Sequence, residues 1–348
     1  MARILYGVSG EGSGHSSRSR EILPDLIEHG HEVRVATYAR GIDNLAADYD
    51  CIEIEGLTIV SRDNKVSHIG TVIENLSRMP RLGRRWMQLR REGFREFKPD
   101  VVITDFEPMT AYLARLNGIP LLTVDNQQRM RYMQYDPPPG MSLDRFMTVA
   151  VIAGMVPRPD ASCVTAFVIG EPKNDHTWIF PPLVRRRVRT ASPTDGDHIL
   201  IYTTSGYDTL NHVAKSFPDA HFIVYGSGRD DREGNLQFRL PSRDGFLKDL
   251  LAAKAVMATA GFTLISESLY LGKPYLALPI KGQFEQQLNA WQLEQSGFGA
   301  AAGSDLHASV AQFLETLPAI AERVAGAPRN DGSALRSKVL ELIDQYST

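Results

Sequence analysis

Cysteine is almost absent: Cys51 and Cys163 are the only two in 348 residues. Two isolated thiols make neither a disulfide framework nor a zinc-ligand spacing, and they point to a reducing compartment. Charge of one sign is lacking too. The 38 Lys and Arg residues stand against 41 Asp and Glu, a net charge of -3. Neither a nucleic-acid-coating surface nor an acidic tail is implied for the chain as a whole. No apolar run is long enough to cross a bilayer. The longest goes from Met147 to Val156 and includes Thr148 and Gly154, where about 20 residues are needed. Met1-Ala2-Arg3-Ile4-Leu5-Tyr6 passes directly into an apolar run with no signal-peptide layout. These absences predict a cytoplasmic protein.

What is present fits packed domains. Hydrophobic residues make up 43%, which excludes disorder, collagen and coiled coil. The length predicts two domains, each able to bury its own core. Short apolar runs end in Gly-rich turns and alternate with helical spacing. Ile4-Leu5-Tyr6, Val33 to Ala36, Val101 to Thr104 and Leu121 to Val124 read as strands. Ile22, Leu23, Leu26 and Ile27 share one face of a helix that Gly30 stops and Pro24 makes irregular. A further helix is predicted from Met109 to Leu116. Residues 129–159 read as irregular. The rhythm restarts at Ile199 to Tyr202, Phe222 to Tyr225, Lys254 to Ala258 and Tyr275 to Leu278. Strands alternating with helices predict parallel sheets covered on both faces, which bind ligands at the carboxyl ends of their strands.

Four motifs sit at such ends. Gly7-Val8-Ser9-Gly10-Glu11-Gly12-Ser13-Gly14-His15 follows the first strand. A dinucleotide fingerprint starting at Gly10 needs glycine where His15 stands. A P-loop starting at Gly7 needs lysine where Ser13 stands. What remains is a Gly-rich turn presenting a histidine at a helix start, or a tight turn with a capping histidine. Asp105, after the nearly all-apolar strand Val101 to Thr104, is placed to orient the His15 imidazole, or to cap the following helix. Asp125-Asn126-Gln127-Gln128 follows a buried strand and reads as a pocket lining or a polar surface turn. The longest motif runs from Thr259-Ala260-Gly261-Phe262-Thr263 through Glu267 to Gly272-Lys273-Pro274, Pro279 and Glu285-Gln286-Gln287-Leu288-Asn289-Ala290. Small residues opening a helix at Gly261 offer N–H groups and a positive dipole end to a diphosphate. Glu267 can accept hydrogen bonds from a ribose diol. Glu285 and Gln286 offer polar groups to sugar hydroxyls.

This last segment resembles the donor signature of GT-B glycosyltransferases that use sugar nucleotides, among them the peptidoglycan N-acetylglucosaminyltransferase and the plant and macrolide enzymes. Gly261, Glu267, Gly272, Pro274, Pro279, Glu285, Gln286, Asn289 and Ala290 match the pattern. Gly12-Ser13-Gly14-His15 resembles the Gly-Gly-His turn of that superfamily, and Asp105 is placed like the strand-end Asp of its plant members. Over residues 1 to about 300 the chain also resembles a bacterial and archaeal glycosyltransferase-like subgroup, on phrases including Asp105-Phe106-Glu107-Pro108 and Phe222-Ile223-Val224-Tyr225-Gly226. It departs from the pattern in two places. Thr259 stands where plant members carry His, so one diphosphate contact is expected to be weaker or to come from Thr203, Thr204 or Ser205. Glu285 stands where many relatives use Asp.

The resemblance implies an α/β GT-B fold: two Rossmann-like, doubly wound parallel-sheet domains facing across a cleft. Residues 1–180 would form the acceptor domain, 181–197 the linker and 198–332 the donor domain, with a helix in 333–348 packing back onto the first. It implies transfer of a sugar from a nucleoside diphosphate sugar, a UDP-sugar first, to an acceptor hydroxyl with inversion. His15 would be the base, with Asp105 orienting it. The donor would lie against Gly14, Thr203, Thr204, Ser205, Gly226, Thr259, Ala260, Gly261, Phe262, Thr263, Glu267, Glu285, Gln286 and Asn289. The acceptor would lie against Glu107, Asp125, Asn126 and Gln127. Two alternatives share the fold: a non-hydrolysing sugar-nucleotide 2-epimerase and a non-catalytic sugar-nucleotide-binding protein. No cofactor and no metal are expected, because the Asp48–Asp50 and Asp195–Asp197 pairs read as solvated turns. A serine hydrolase is disfavoured, since neither Ser205 nor Ser266 lies in a Gly-x-Ser-x-Gly elbow. Residues 78–98 are basic, with Arg78, Arg81, Arg84, Arg85, Arg90, Arg91, Arg95 and Lys98 interleaved with Trp86, Met87, Leu89, Phe94 and Phe97. Such a segment can meet an anionic membrane, a phosphorylated acceptor or a nucleic-acid backbone, or be an ordinary amphipathic helix with a solvated face.

Overall fold

The computed structural model describes residues 1–56, 61–62, 65–66, 81–194, 196–203, 207–327 and 329–347. It divides into two compact units, one built from residues 1–62, 66–185 and 331–348, the other centred on Arg186–Asn330.

The first unit holds the strands β1 (Arg3–Val8), β2 (Glu32–Thr37), β3 (Cys51–Glu53), β6 (Val101–Asp105), β7 (Leu121–Asp125), β8 (Ala161–Thr165) and β9 (Thr177–Phe180), in the order β3-β2-β1-β6-β7-β8-β9. Each neighbouring pair is parallel. Two short strands, β4 (Ser61–Arg62) and β5 (Lys65–Val66), pair with each other. Central strands β6, β7 and β8 are buried at every position, which is why they read as nearly unbroken apolar or small-residue runs rather than as alternation. The helices are α1 (Gly14–Ser19), α2 (Leu23–Glu28), α3 (Arg40–Leu45), α4 (81–89, running into a π-helical turn Arg90–Glu96), α5 (Pro108–Leu116), α6 (Arg129–Tyr132) and α7 (Ser142–Met155).

The expected first helix is two helices. Pro24 lies in the first turn of α2, where its missing N–H costs nothing, and the chain bends between α1 and α2. Ile22, Leu23 and Leu26 are buried, but Ile27 is exposed. It is rotated by about 100° from Leu26, so it does not share the buried face. Residues 129–159 are more regular than expected, since they contain the 14-residue α7. Only Ile152 of that helix is buried, while Leu143, Phe146, Met147 and Val151 face outward. Its apolar pattern therefore does not track burial. β8 and β9, also unmarked in the sequence reading, complete the sheet.

The second unit has the order β12-β13-β11-β10-β14-β15-β16, from β10 (His198–Tyr202), β11 (His221–Tyr225), β12 (Arg232–Glu233), β13 (Leu236–Arg239), β14 (Ala255–Thr259), β15 (Tyr275–Leu278) and β16 (Gly299–Ala301). All pairs are parallel except β12 with β13. Its helices are α8 (Arg186–Arg189), α9 (Tyr207–Lys215), α10 (Arg243–Ala252), α11 (Phe262–Tyr270), α12 (Phe284–Gln295) and α13 (Leu306–Ala325). The next helix, α14 (Ser333–Tyr346), belongs to the first unit. It buries Leu335, Val339, Leu342 and Ile343 in one cluster with Ile4, Val101, Leu122 and Cys163.

Candidate functional site

In the first unit β1 and β6 end level, with Val8 opposite Asp105. The chain then turns through the Gly-rich loop into α1. Two of the loop's glycines make room for the protein itself. A Cβ on Gly7 would meet the Thr110 hydroxyl of α5, and one on Gly10 would meet the Tyr38 carbonyl. His15 emerges in the first turn of α1, 8% exposed, with Nδ1 2.6 Å from Oδ1 of the fully buried Asp105. Phe106, with φ +56°, stacks near-parallel to the imidazole at 6.4 Å.

A further residue completes the cluster. Buried Arg18 donates from Nε to Asp105 Oδ2 at 2.8 Å, from Nη2 to Oδ1 at 2.6 Å, and from Nη1 to Asn126 Oδ1 at 2.9 Å. The sequence reading missed it. The available signal was the His15-x-x-Arg18 spacing, which puts both side chains on one helix face. Burial pushes the Asp105 carboxyl up, but the Arg18 charge and the hydrogen bonds from His15 and Arg18 hold it below the usual carboxylate range. Asp125 moves the other way. Burial first, then the Asp105 charge, pushes it up to about 7. Its Oδ1 accepts from the Gln128 N–H at 2.7 Å, while its Oδ2 has no hydrogen-bond partner among the described residues.

Glu107 is buried as the N-cap of α5. Its two carboxyl oxygens accept from the N–H groups of Met109 and Thr110, each at 2.7 Å, and burial raises its carboxyl. Helix capping thus falls to Glu107 and leaves Asp105 to His15 and Arg18. Asn126 is engaged by Arg18. The Gln127 side chain is half-buried, its Oε1 unpartnered among the described residues. Gly14 is the first residue of α1.

In the second unit the expected donor residues gather at the carboxyl ends of the parallel strands. Thr203 follows β10, buried, its hydroxyl unpartnered among the described residues. Thr204 and Ser205 lie outside the described residues. Gly226 follows β11 with φ +99°. Thr259 ends β14, its carbonyl accepting from the Tyr275 hydroxyl at 2.7 Å. Gly261 is the N-cap of α11, and Phe262 and Thr263 are its first residues. Buried Asn289 donates to the Ala260 carbonyl at 2.8 Å, so it holds the loop rather than facing outward. Glu267, within α11, is buried. Glu285 lies half-buried in the first turn of α12, and Gln286 Oε1 accepts from the Ile280 N–H at 3.0 Å.

Of the acidic pairs, Asp48 binds Arg20 and Asp50 binds Arg34, each at 2.7 Å; Asp195 lies outside the described residues. Among the described residues no three His, Cys, Asp or Glu side chains are grouped to hold a metal. In the basic segment, 78–80 lie outside the described residues. Leu89, Phe94 and Phe97 are buried in the first unit's core, and Arg81, Arg84, Arg90, Arg91 and Arg95 are exposed. Among the described residues no helix is long and apolar enough to cross a membrane.

The glycosyl transferase family 1 model matches residues 2–318. An uncharacterized glycosyltransferase of Methanosarcina acetivorans is 24% identical over 325 residues, 85% of this chain and 84% of the relative. One of Methanosarcina mazei is 24% identical over 329 residues, again 85% and 84%. Among solved structures, the glycosyltransferase of kitacinnamycin superposes with a TM-score of 0.69 at 19% identity, over 99% of both chains. The calicheamicin glycosyltransferase does so with 0.68 at 14%, over 99% of this chain and 98% of its own. A Phytolacca americana protein complexed with UDP-2-fluoro-glucose and pterostilbene gives 0.68 at 12%, over 100% of both. With the sheet orders above, the chain belongs to glycosyl transferase family 1 and is a glycosyltransferase of GT-B fold.

Proposed function

We propose that the protein transfers a sugar from a nucleoside diphosphate sugar, a UDP-sugar first, to an acceptor hydroxyl with inversion at the anomeric carbon. The observation that carries this reading is the buried His15–Asp105 contact at the carboxyl edge of the first unit's sheet. With Nδ1–H donating to Asp105, Nε2 is left to accept the acceptor's proton. The acceptor oxygen bonds to the anomeric carbon, the bond to the diphosphate oxygen breaks, and its electron pair leaves with the nucleoside diphosphate. The N–H groups opening α11 stabilise that developing charge. Glu267 and Glu285 are read as contacts for ribose and sugar hydroxyls. Asp125 and Gln127 are read as the acceptor side, beside Asn126 and the capping Glu107.

The test is a thermal-shift screen with UDP-, GDP-, TDP- and CMP-sugars. A ligand at a hundred times its Kd stabilises by about 2.7 kcal/mol. A UDP-sugar is expected to raise the midpoint in the parent, and less in Glu267→Ala. A flat response to all four donor classes rejects the reading. Conversion of the UDP-sugar without acceptor to another sugar nucleotide would point to epimerisation instead.

A further inference from the structure

His15 and Arg18 leave one face of α1 and converge on one carboxylate at the end of β6. We propose that Arg18 is a positioning residue for sugar transfer: its guanidinium keeps the buried Asp105 a carboxylate and thereby holds His15 in the tautomer whose Nε2 carries the free lone pair. The inference rests on the reading of His15 as the base.

The geometry makes the proton assignment. Arg18 grips Asp105 with two parallel bonds, Nε to Oδ2 at 2.8 Å and Nη2 to Oδ1 at 2.6 Å, a fork that lysine cannot form. Its third arm is fixed on Asn126 at 2.9 Å, so the guanidinium is pinned from the ends of both β6 and β7. His15 Nδ1 lies 2.6 Å from the same Oδ1 and 3.3 Å from Nη2. An ionised carboxylate only accepts, so a ring nitrogen at 2.6 Å from it carries the proton. The opposite tautomer would set two lone pairs against each other at that distance.

The neighbourhood explains why a fixed cation is needed. Asp125 at the end of β7 is a second buried carboxyl, coupled to Asp105 by charge. Neighbouring buried carboxyls compete for one proton. Were Asp105 to take it, its O–H could donate to Nδ1 and drive the imidazole proton to Nε2, abolishing the base. Arg18 stays charged throughout the physiological range, and it lies on Asp105 rather than on Asp125. The proton falls to Asp125, whose carboxyl is the raised one, while Asp105 is held low. Among the described residues, the charged groups facing the imidazole are Arg18 from α1, Asp105 from β6 and Asp125 from β7, with Phe106 over the ring face.

The experiment reads the ring directly, by nitrogen-15 spectra of His15 in the full chain, alongside turnover and donor Kd. The parent is expected to show a single neutral tautomer protonated at Nδ1. Arg18→Gln is expected to lose that signature and to drop turnover about 100-fold, on the scale of a general base, with donor Kd unchanged. Arg18→Lys keeps the charge without the fork. It is expected to show a mixed ring signal and about a tenfold loss, and it carries the test if the Gln variant does not fold. A folded variant with the parent's spectrum overturns the proposal, whether or not turnover falls, because lost turnover with an unchanged tautomer means a merely structural role. The spectra need no substrate. An absence of glycosyl transfer therefore overturns the base assignment of His15, while the ring signal still decides the coupling to Arg18.

Discussion

Asp105 and Asp125 end adjacent strands, both fully buried, and their proton affinities are displaced in opposite directions. The folded-state value of Asp105 is depressed, so its contribution to stability is present above the usual carboxylate range and is lost as pH falls through the folded value. Asp125 is raised to about 7. The folded chain keeps a proton that the unfolded chain has already released from about pH 4 upward, so stability falls as pH rises through about 4 to 7. Asp125→Asn has no proton to lose. Its thermal midpoint is expected to exceed the parent's by several degrees at about pH 8 and to match it near pH 4. An offset independent of pH would show that Asp125 is not the group responsible. His15→Ala is expected to lower kcat by about 10²–10⁴ with donor Kd unchanged by calorimetry. Asp105→Asn is expected to lose less, since the imidazole remains but is poorly held. Parent-like turnover in His15→Ala would remove the base.

At the scale of elements, capping and charged faces separate what the sequence made legible from what it hid. The Gly-rich turn, the strand-end Asp105 and the α11 start were readable because each follows an apolar strand. Arg18 was not, because a lone arginine on a short helix looks like a surface charge until the fold buries it. Glu107 was read as facing the acceptor, yet both its carboxyl oxygens bind the α5 backbone. Glu107→Ala is expected to cost about 0.5–2 kcal/mol, as a lost cap does, read as a lower urea midpoint. An unchanged midpoint with a raised acceptor KM would return it to the acceptor side. In α4 the aromatic residues are spent on the core, with Arg85 bound to Glu53 and Arg91 to Glu92. Any membrane contact by this segment is electrostatic, at about 1 kcal/mol per basic residue. Parent protein is expected to sediment with phosphatidylserine vesicles at low salt only, and replacing Arg84, Arg85, Arg90 and Arg91 by Gln is expected to abolish this. A parent that ignores vesicles at low salt leaves α4 a solvated face.

For the whole molecule, most central strands of both sheets were legible, since buried apolar runs announce themselves; β8, Ala161–Thr165, is as buried but too small and polar to do so. β13, β16 and β9 were not legible either; Leu236–Arg239 and Gly299–Ala301 are too short and too polar or small to stand out. The two units are not two consecutive stretches of chain, because α14 closes the core of the first after the second has intervened. Leu342→Ala empties a fully buried site and is expected to cost about 2–5 kcal/mol. Calorimetry is expected to show the transition of the first unit lowered and that of the second unchanged; a single lowered transition would mean the units melt as one. The same threading orders events on the ribosome. The second unit can complete its core while the first unit's sheet still waits for α14 to join α2 over one of its faces. A nascent chain arrested before α14 would thus leave Ile4, Val101 and Leu122 without that part of their cover, open to chaperones and proteases.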